Sequence, residues 1–300
     1  MNLHQFFQLF VNGTINGSRY ALLGVSFALI ISVTGRFHLA YVLSYTLAAY
    51  AASSTADAWG FPFPLAALAG IIVAIAVGVA IEVVVYRPIA RKAGGSALLT
   101  IFVAALGLTI AAENAIRLTW GSASENLSGL PRNGLSIGDV TFTALDVISL
   151  IVFWVLIVGL TLFLQRTRQG RLITAVRVNP EMARVVGIDP DRIYLLVFAI
   201  GSALGGVAAI LFTVKYAAVP DMGLDAVFKG FLVAFLAGTA SSPTRIAGAA
   251  VLLGLVESLS GLWLKAQWSP LVVFSVLFIY LTLLPLDFWR PRRLVSAFAR

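Results

Sequence analysis

The 300-residue chain is 60% apolar and only 11% charged, with a formal net charge of +8, whereas a soluble domain of this size carries about 25% charged residues. It has no cysteine and two histidines, His4 and His38, which excludes disulfides and thiolate metal centres and leaves too few imidazoles for a histidine-only metal site. The cations sit in short stretches between apolar runs, a pattern of membrane orientation and not of nucleic-acid binding.

At 1.5 Å rise, about 20 apolar residues span the hydrocarbon layer. Such runs recur along the chain and predict an all-α, polytopic transmembrane bundle of about eight to nine spans, at 18–35, 38–56, 62–86, 97–118, 144–164, 193–214, 226–240, 244–264 and 269–287. The start, MNLHQFFQLFVNG, lacks the basic segment and small-residue cleavage site of a signal peptide. Leu3–Val11 is either a short interfacial helix or the ordinary beginning of the first span. The Gly35–Arg36 link is so short that the first two segments form either a tight hairpin or one broken helix. Glu82, one turn before Arg87, is expected at the membrane interface in a structural role.

Glu113 and Arg117, four residues apart, are an expected i,i+4 pair. Lys229 and Glu257, on neighbouring late spans, are an expected structural ion pair. The 226–240 segment is short for a crossing and ends in Gly238-Thr239-Ala240-Ser241-Ser242-Pro243. It is either a re-entrant or tilted helix or a plain short span. Gly201-Ser202-Ala203-Leu204-Gly205-Gly206, Gly248 and Gly254 signal close helix packing.

Orientation follows from the loop cations. One side gathers 15 of the 21 Lys and Arg residues: Arg36, Arg87, Arg91, Lys92, six arginines between 165 and 192, Arg245, Arg290, Arg292, Arg293 and Arg300. The other holds Arg19, Arg117, Arg132, Lys215, Lys229 and Lys265. The richer side is expected to be cytoplasmic, placing the N-terminus outside and the C-terminus inside.

Residues 165–192 are the most informative stretch. Asn179 is a good N-cap, Pro180 suits the first helical position, and Glu181 favours the positive end of the dipole. Gly187 suits the left-handed residue after a helix end, and Asp189-Pro190 caps the next span. The pattern predicts a helix of about two turns outside the membrane, with apolar Met182, Val185 and Val186 in need of a packing partner. That partner is either the bundle or membrane surface itself or a separate cytoplasmic protein.

From Gly170 through Asp189 the sequence resembles the permeases of high-affinity branched-chain amino acid ABC importers, in which an Ala-x-Arg-x-x-x-Asn-Pro-x-x-Ala-x-x-x-Gly-Ile segment is the coupling helix. The resemblance extends in order through Tyr20-Ala21-Leu22 with Gly24, Glu82-x4-Arg87-Pro88, Leu98-Leu99-Thr100-Ile101, Pro220-x-Met222-Gly223, Lys229-x-Phe231 and Gly254-Leu255-x-Glu257. It implies one transmembrane permease domain over 1–300, with a cytoplasmic coupling loop at 165–192. In that loop Arg177, Asn179, Pro180, Glu181, Met182, Ala183, Arg184, Val185 and Gly187 would meet an ATP-hydrolysing subunit.

It also implies a second related permease chain (a heterodimer), two ATP-binding cassette subunits, an outer substrate-binding protein, and a bacterial cytoplasmic (inner) membrane location. No GxxxxGK[ST] occurs, so hydrolysis belongs to partner subunits. No catalytic constellation, metal site or cofactor is expected in the chain itself. The solute would be a branched-chain or related amino acid; urea, short amides and small (including aromatic) carboxylates are alternatives, and a self-sufficient secondary transporter or channel is a more distant one. The family's Asn-Phe-Ala-His-Gly after the first span stands here as His38-Leu39-Ala40-Tyr41-Val42, a departure that bears on the solute more than on the fold. His38, Tyr41 and Tyr45 share a helical face expected to meet the translocation pathway, the alternative for the tyrosines being packing or interfacial aromatics.

Overall fold

The computed structural model describes residues 3–92, 97–131, 133–137, 140–265 and 268–283. The last residues of the predicted 269–287 span, together with Arg132, Arg290, Arg292, Arg293 and Arg300 from the charge count, lie outside them. The helices are α1 (Leu3–Thr34), α2 (Tyr41–Trp59), α3 (Phe63–Ala80), α4 (Arg87–Lys92), α5 (Ala97–Trp120), α6 (Ala144–Arg166), α7 (Arg168–Val178), α8 (Pro180–Val185), α9 (Pro190–Tyr216), α10 (Met222–Ala237), α11 (Pro243–Ser260) and α12 (Ser269–Leu283). A π-helical stretch, Ile81–Tyr86, joins α3 to α4, and β1 (Gly134–Ile137) pairs antiparallel with β2 (Val140–Thr143) ahead of α6.

Among the described residues, five helices are long and apolar enough to cross a bilayer: α1, α3 with its continuation to Lys92, α5, α6 and α9. The segments predicted at 38–56, 226–240, 244–264 and 269–287 are also helical, as α2, α10, α11 and α12, but shorter or more polar. α10 has 16 residues, about 24 Å at 1.5 Å each, less than the roughly 30 Å hydrocarbon thickness. Leu3–Val11 is no separate interfacial helix; it is the beginning of the continuous α1.

α1 and α9 are the buried axis of the bundle, with α2 and α10 packed against α9 and α1 respectively. α5 and α6 have only 22% of their apolar windows covered and turn Leu98, Val103 and Ile110, and Ile151, Val155 and Leu162, outward. Apolar side chains facing outward fit a lipid solvent, in which helices associate through close packing.

α1 and α11 form the closest seam. Their backbones meet at Gly13, Gly17 and Gly254, where a Cβ on Gly254 would stand 2.5 Å from the Gly17 Cα. Ser258 Oγ donates to the Leu9 carbonyl at 2.6 Å along the same line. The other predicted small-residue contacts divide. Gly201 lies against Ile30 and Gly205 against the Tyr41 ring, while Gly248 faces open space.

At the end of the bundle opposite α7 and α8, Gln8 exchanges two hydrogen bonds of 2.8 Å with the Thr141 backbone, tying α1 to β2. The α6 start is closed by a capping box between Thr143 and Asp146, and Asp146 pairs with Lys215 of α9. α9 ends on Ala217, a non-glycine residue at φ 68° and ψ 159°. A side chain there is strained, whereas glycine accepts the conformation freely. Ala217→Gly is expected to stabilise the protein by about 1 kcal/mol, read as a rise in the thermal midpoint of the detergent-solubilised chain; a fall would show that the flanking Glu125–Ala218 pairing holds the residue without strain.

Candidate coupling and gating site

The segment from Thr167 to Asp191 is built by three successive caps. Thr167 Oγ1 accepts from the Gly170 amide at 3.0 Å and starts α7. Asn179 Oδ1 accepts from the Glu181 and Met182 amides, both at 3.0 Å, and starts α8 with Pro180 in its first turn. Asp189 Oδ1 accepts from the Asp191 amide at 3.0 Å and starts α9. Gly187 carries φ 85°, and the Ile188 amide returns to the Ala183 carbonyl at 2.9 Å. That return bond fixes α8 rigidly to the beginning of α9.

α7 was not anticipated from sequence. Its signal is the Thr167 cap together with Leu172, Ile173 and Val176, which recur at helical spacing; Ile173 and Val176 are buried.

α8 is seated by one residue. Ala183 is 4% exposed, whereas Met182, Val185 and Val186 are 64%, 81% and 74% exposed. Arg177, Pro180, Glu181 and Arg184 are exposed as well. An apolar strip rimmed by charge, standing off the bundle, is the anatomy of a protein-binding surface more than of a packed element.

The second cluster lies where α1 ends. Gly35, at φ 65°, terminates α1, and the chain runs without helix through Phe37 and His38 before α2 begins at Tyr41. The Tyr41 hydroxyl donates to the Gly201 carbonyl of α9 at 3.0 Å and lies 2.6 Å from Ser26 Oγ of α1. Ser26 is eight residues before the end of α1, about 12 Å along the axis. The link therefore turns back into the bundle and α2 starts inside it, so the first two segments are neither a tight hairpin nor one broken rod. His38 Nδ1 is 3.0 Å from the Tyr86 hydroxyl, and its ring packs edge-on to Phe198.

His38 lies in the non-helical link and not on α2 with Tyr41 and Tyr45; its ring is 5.6 Å from that of Tyr41, and all three residues are buried inside this chain. His38 Nε2 and the Tyr45 hydroxyl have no hydrogen-bond partner among the described residues.

Beside them is an ion-pair chain that the sequence did not disclose. Glu82, expected at an interface, is completely buried and pairs with Arg36, itself 7% exposed. Arg87 Nε lies 4.0 Å from Glu82 and Arg87 Nη2 donates to the Asp191 carbonyl at 3.0 Å. Arg91 Nη2 reaches the Asp191 carboxylate at 2.8 Å. Two other predicted pairs form as expected: Arg117–Glu113 at 2.6 Å and Lys229–Glu257 at 3.2 Å.

A groove of about 380 Å³ opens between α2 and α5, lined by Leu43, Leu47, Leu108, Ala112, Ile116 and Trp120 among others, with no charged side chain.

The family described as "Branched-chain amino acid transport system / permease component" matches residues 9–282. The high-affinity branched-chain amino acid transport system permease protein LivH of Escherichia coli (strain K12) is 30% identical over 294 residues, covering 93% of this chain and 94% of its own length. The corresponding permease protein BraD of Pseudomonas aeruginosa is 30% identical over 297 residues, covering 94% and 95%. Among solved structures, PsaBC from Streptococcus pneumoniae in complex with Fab aligns with a TM-score of 0.51 at 14% identity, over 90% of this chain and 89% of that one, a likeness of fold. With apolar helices able to span a membrane and a family match running from α1 to α12, this chain is a multi-pass membrane protein that belongs to the branched-chain amino acid transport system permease component family.

Proposed function

We propose that the chain is the permease subunit of an ATP-driven importer, moving a branched-chain or related hydrophobic amino acid inward by alternating access. The observation that carries this is α8: a helix of six residues, capped at its start and locked to α9, whose apolar side chains are left outside the bundle. A self-sufficient carrier has no use for such a surface. A partner that closes on ATP binding would move α8 and the first turn of α9 as one body, giving the two-state element that alternating access requires.

In this reading residues 1–300 are one transmembrane domain in the bacterial cytoplasmic membrane. The 165–192 segment lies in the cytoplasm with the C-terminus, and the N-terminus lies outside. Arg177, Asn179, Pro180, Glu181, Met182, Ala183, Arg184, Val185 and Gly187 form or support the contact with the ATPase. The working assembly adds a second related permease, two ATP-binding cassette subunits and a substrate-binding protein, and this chain holds no cofactor of its own. His38, Tyr41 and Tyr45 border the pathway at the point where α2 begins, closed on all sides in the present conformation.

The choice of solute is supported by the family match and by relatives described as branched-chain amino acid permeases. The test is uptake by the complete importer reconstituted in liposomes. Labelled leucine should accumulate only with ATP inside and binding protein outside. Accumulation of urea or benzoate instead would overturn the solute, and uptake by this chain alone would overturn the importer.

A further inference from the structure

The ion-pair chain beside His38 touches three elements that alternating access would have to move together. α8 is continuous with α9 through Gly187–Asp189 and the Ile188–Ala183 hydrogen bond, so displacement of α8 displaces Asp191 in the first turn of α9. Asp191 holds Arg91 by its carboxylate and Arg87 by its carbonyl. Arg87 stands over Glu82, and Glu82 holds Arg36 in the non-helical link between α1 and α2. The Arg36 guanidinium lies 5.1 Å above the Tyr194 ring, which returns the chain of contacts to α9.

Glu82 also lies in the π-helical stretch Ile81–Tyr86, a local widening that is rare and tends to mark functional positions. The same stretch supplies Tyr86, the hydrogen-bond partner of His38.

We propose, resting on the importer reading above, that Glu82 is a positioning residue for energy coupling: through Arg87 and Asp191 on one side and Arg36 on the other, it ties movement of α8 to the unwound link that carries His38. A carboxylate is required because its charge is shared between two arginines, Arg36 in direct contact and Arg87 4.0 Å away, Arg36 being buried. Neither a neutral side chain nor an apolar one holds both.

The experiment uses the complete importer in liposomes and reads ATP hydrolysed per leucine taken up, with assembly followed by size-exclusion chromatography. Glu82→Gln is expected to raise that ratio at least tenfold while the complex still assembles, and Arg87→Gln, which removes the hydrogen bond to the Asp191 carbonyl, to raise it severalfold. The double substitution should be no worse than Glu82→Gln alone, because the two residues act in one chain of contacts. A ratio unchanged in both single variants, even with a lower thermal midpoint, would assign Glu82 a merely structural role and overturn the proposal. So would a double variant showing the product of the two effects. If Glu82→Gln fails to assemble, Arg87→Gln decides alone, since Arg87 is partly exposed. Failure of the unsubstituted importer to take up solute on ATP addition would instead sink the importer reading, and the relay with it.

Discussion

Replacing Gly254 with leucine is expected to abolish the folded protein, on the order of 4 kcal/mol or more of destabilisation. α1 and α11 touch backbone to backbone here: a Cβ on Gly254 would meet the Gly17 nitrogen and Cα at 2.5 Å and the Gly13 carbonyl oxygen at 2.6 Å. A flexible side chain could swing aside, but backbone atoms cannot. The helices would have to separate along the seam, with loss of the Ser258–Leu9 bond. Ordinary overpacking costs about 1–3 kcal/mol because side chains repack; this site has none to move. Yield of monodisperse detergent-solubilised protein and its thermal midpoint are the measurements. Gly248→Leu is the control. It lies on the same helix with nothing within 4 Å of the added Cβ and is expected to shift stability by less than about 0.5 kcal/mol.

The second large effect concerns assembly and not folding. Val185→Asp places a charge at the most exposed apolar position of α8, 81% open, without touching the Asn179 cap or the Ala183 seat. The chain should fold and purify normally. If α8 docks on an ATPase subunit as proposed above, the buried, unpaired carboxylate should cost at least about a hundredfold in affinity, roughly 2.8 kcal/mol at 1.4 kcal/mol per decade. Co-purification with the ATPase subunits measures it, and full recovery of the complex would sink the docking role of α8. Ala183→Asp is a poorer probe, since it would unseat α8 from its own bundle and confound the two effects.

The difference between what was legible in the sequence and what was not follows the range of the interactions. Asn179, Pro180, Gly187 and Asp189 fix α8 through bonds to residues two or three positions away, so a short window contains the whole signal. The shared face of Tyr41 and Tyr45 on α2 is likewise a local periodicity, whereas His38 falls in the link before the helix. Arg36 was counted as a loop charge because it follows Gly35 between two apolar runs; the carboxylate that draws it inside, Glu82, belongs to the distant π-helical stretch. The same holds for Asp191 on α9, whose arginine partners Arg87 and Arg91 lie five helices earlier on α4. Gly13 and Gly17 look like weak points of α1 in isolation. They are where α11 comes closest, and the partner rescues the helix. α7 was missed because its apolar residues are few, and only burial against α1, α6 and α9 makes them a helix.

The unwound link between α1 and α2 bears on the order in which this chain can be made. A helix that starts inside the bundle satisfies its first amides locally, on the His38, Leu39 and Ala40 carbonyls, but its Tyr41 ring and hydroxyl depend on other helices. The carbonyl that takes the Tyr41 hydroxyl, Gly201, and the gap that admits its ring, at Gly205, belong to α9. As the chain leaves the ribosome, α1 and α3 can settle in the membrane at once, but the beginning of α2 completes its contacts only after α9 has been synthesised and inserted. Truncation before residue 190 would strand that segment, making it a natural place for quality-control proteases to recognise an unfinished chain.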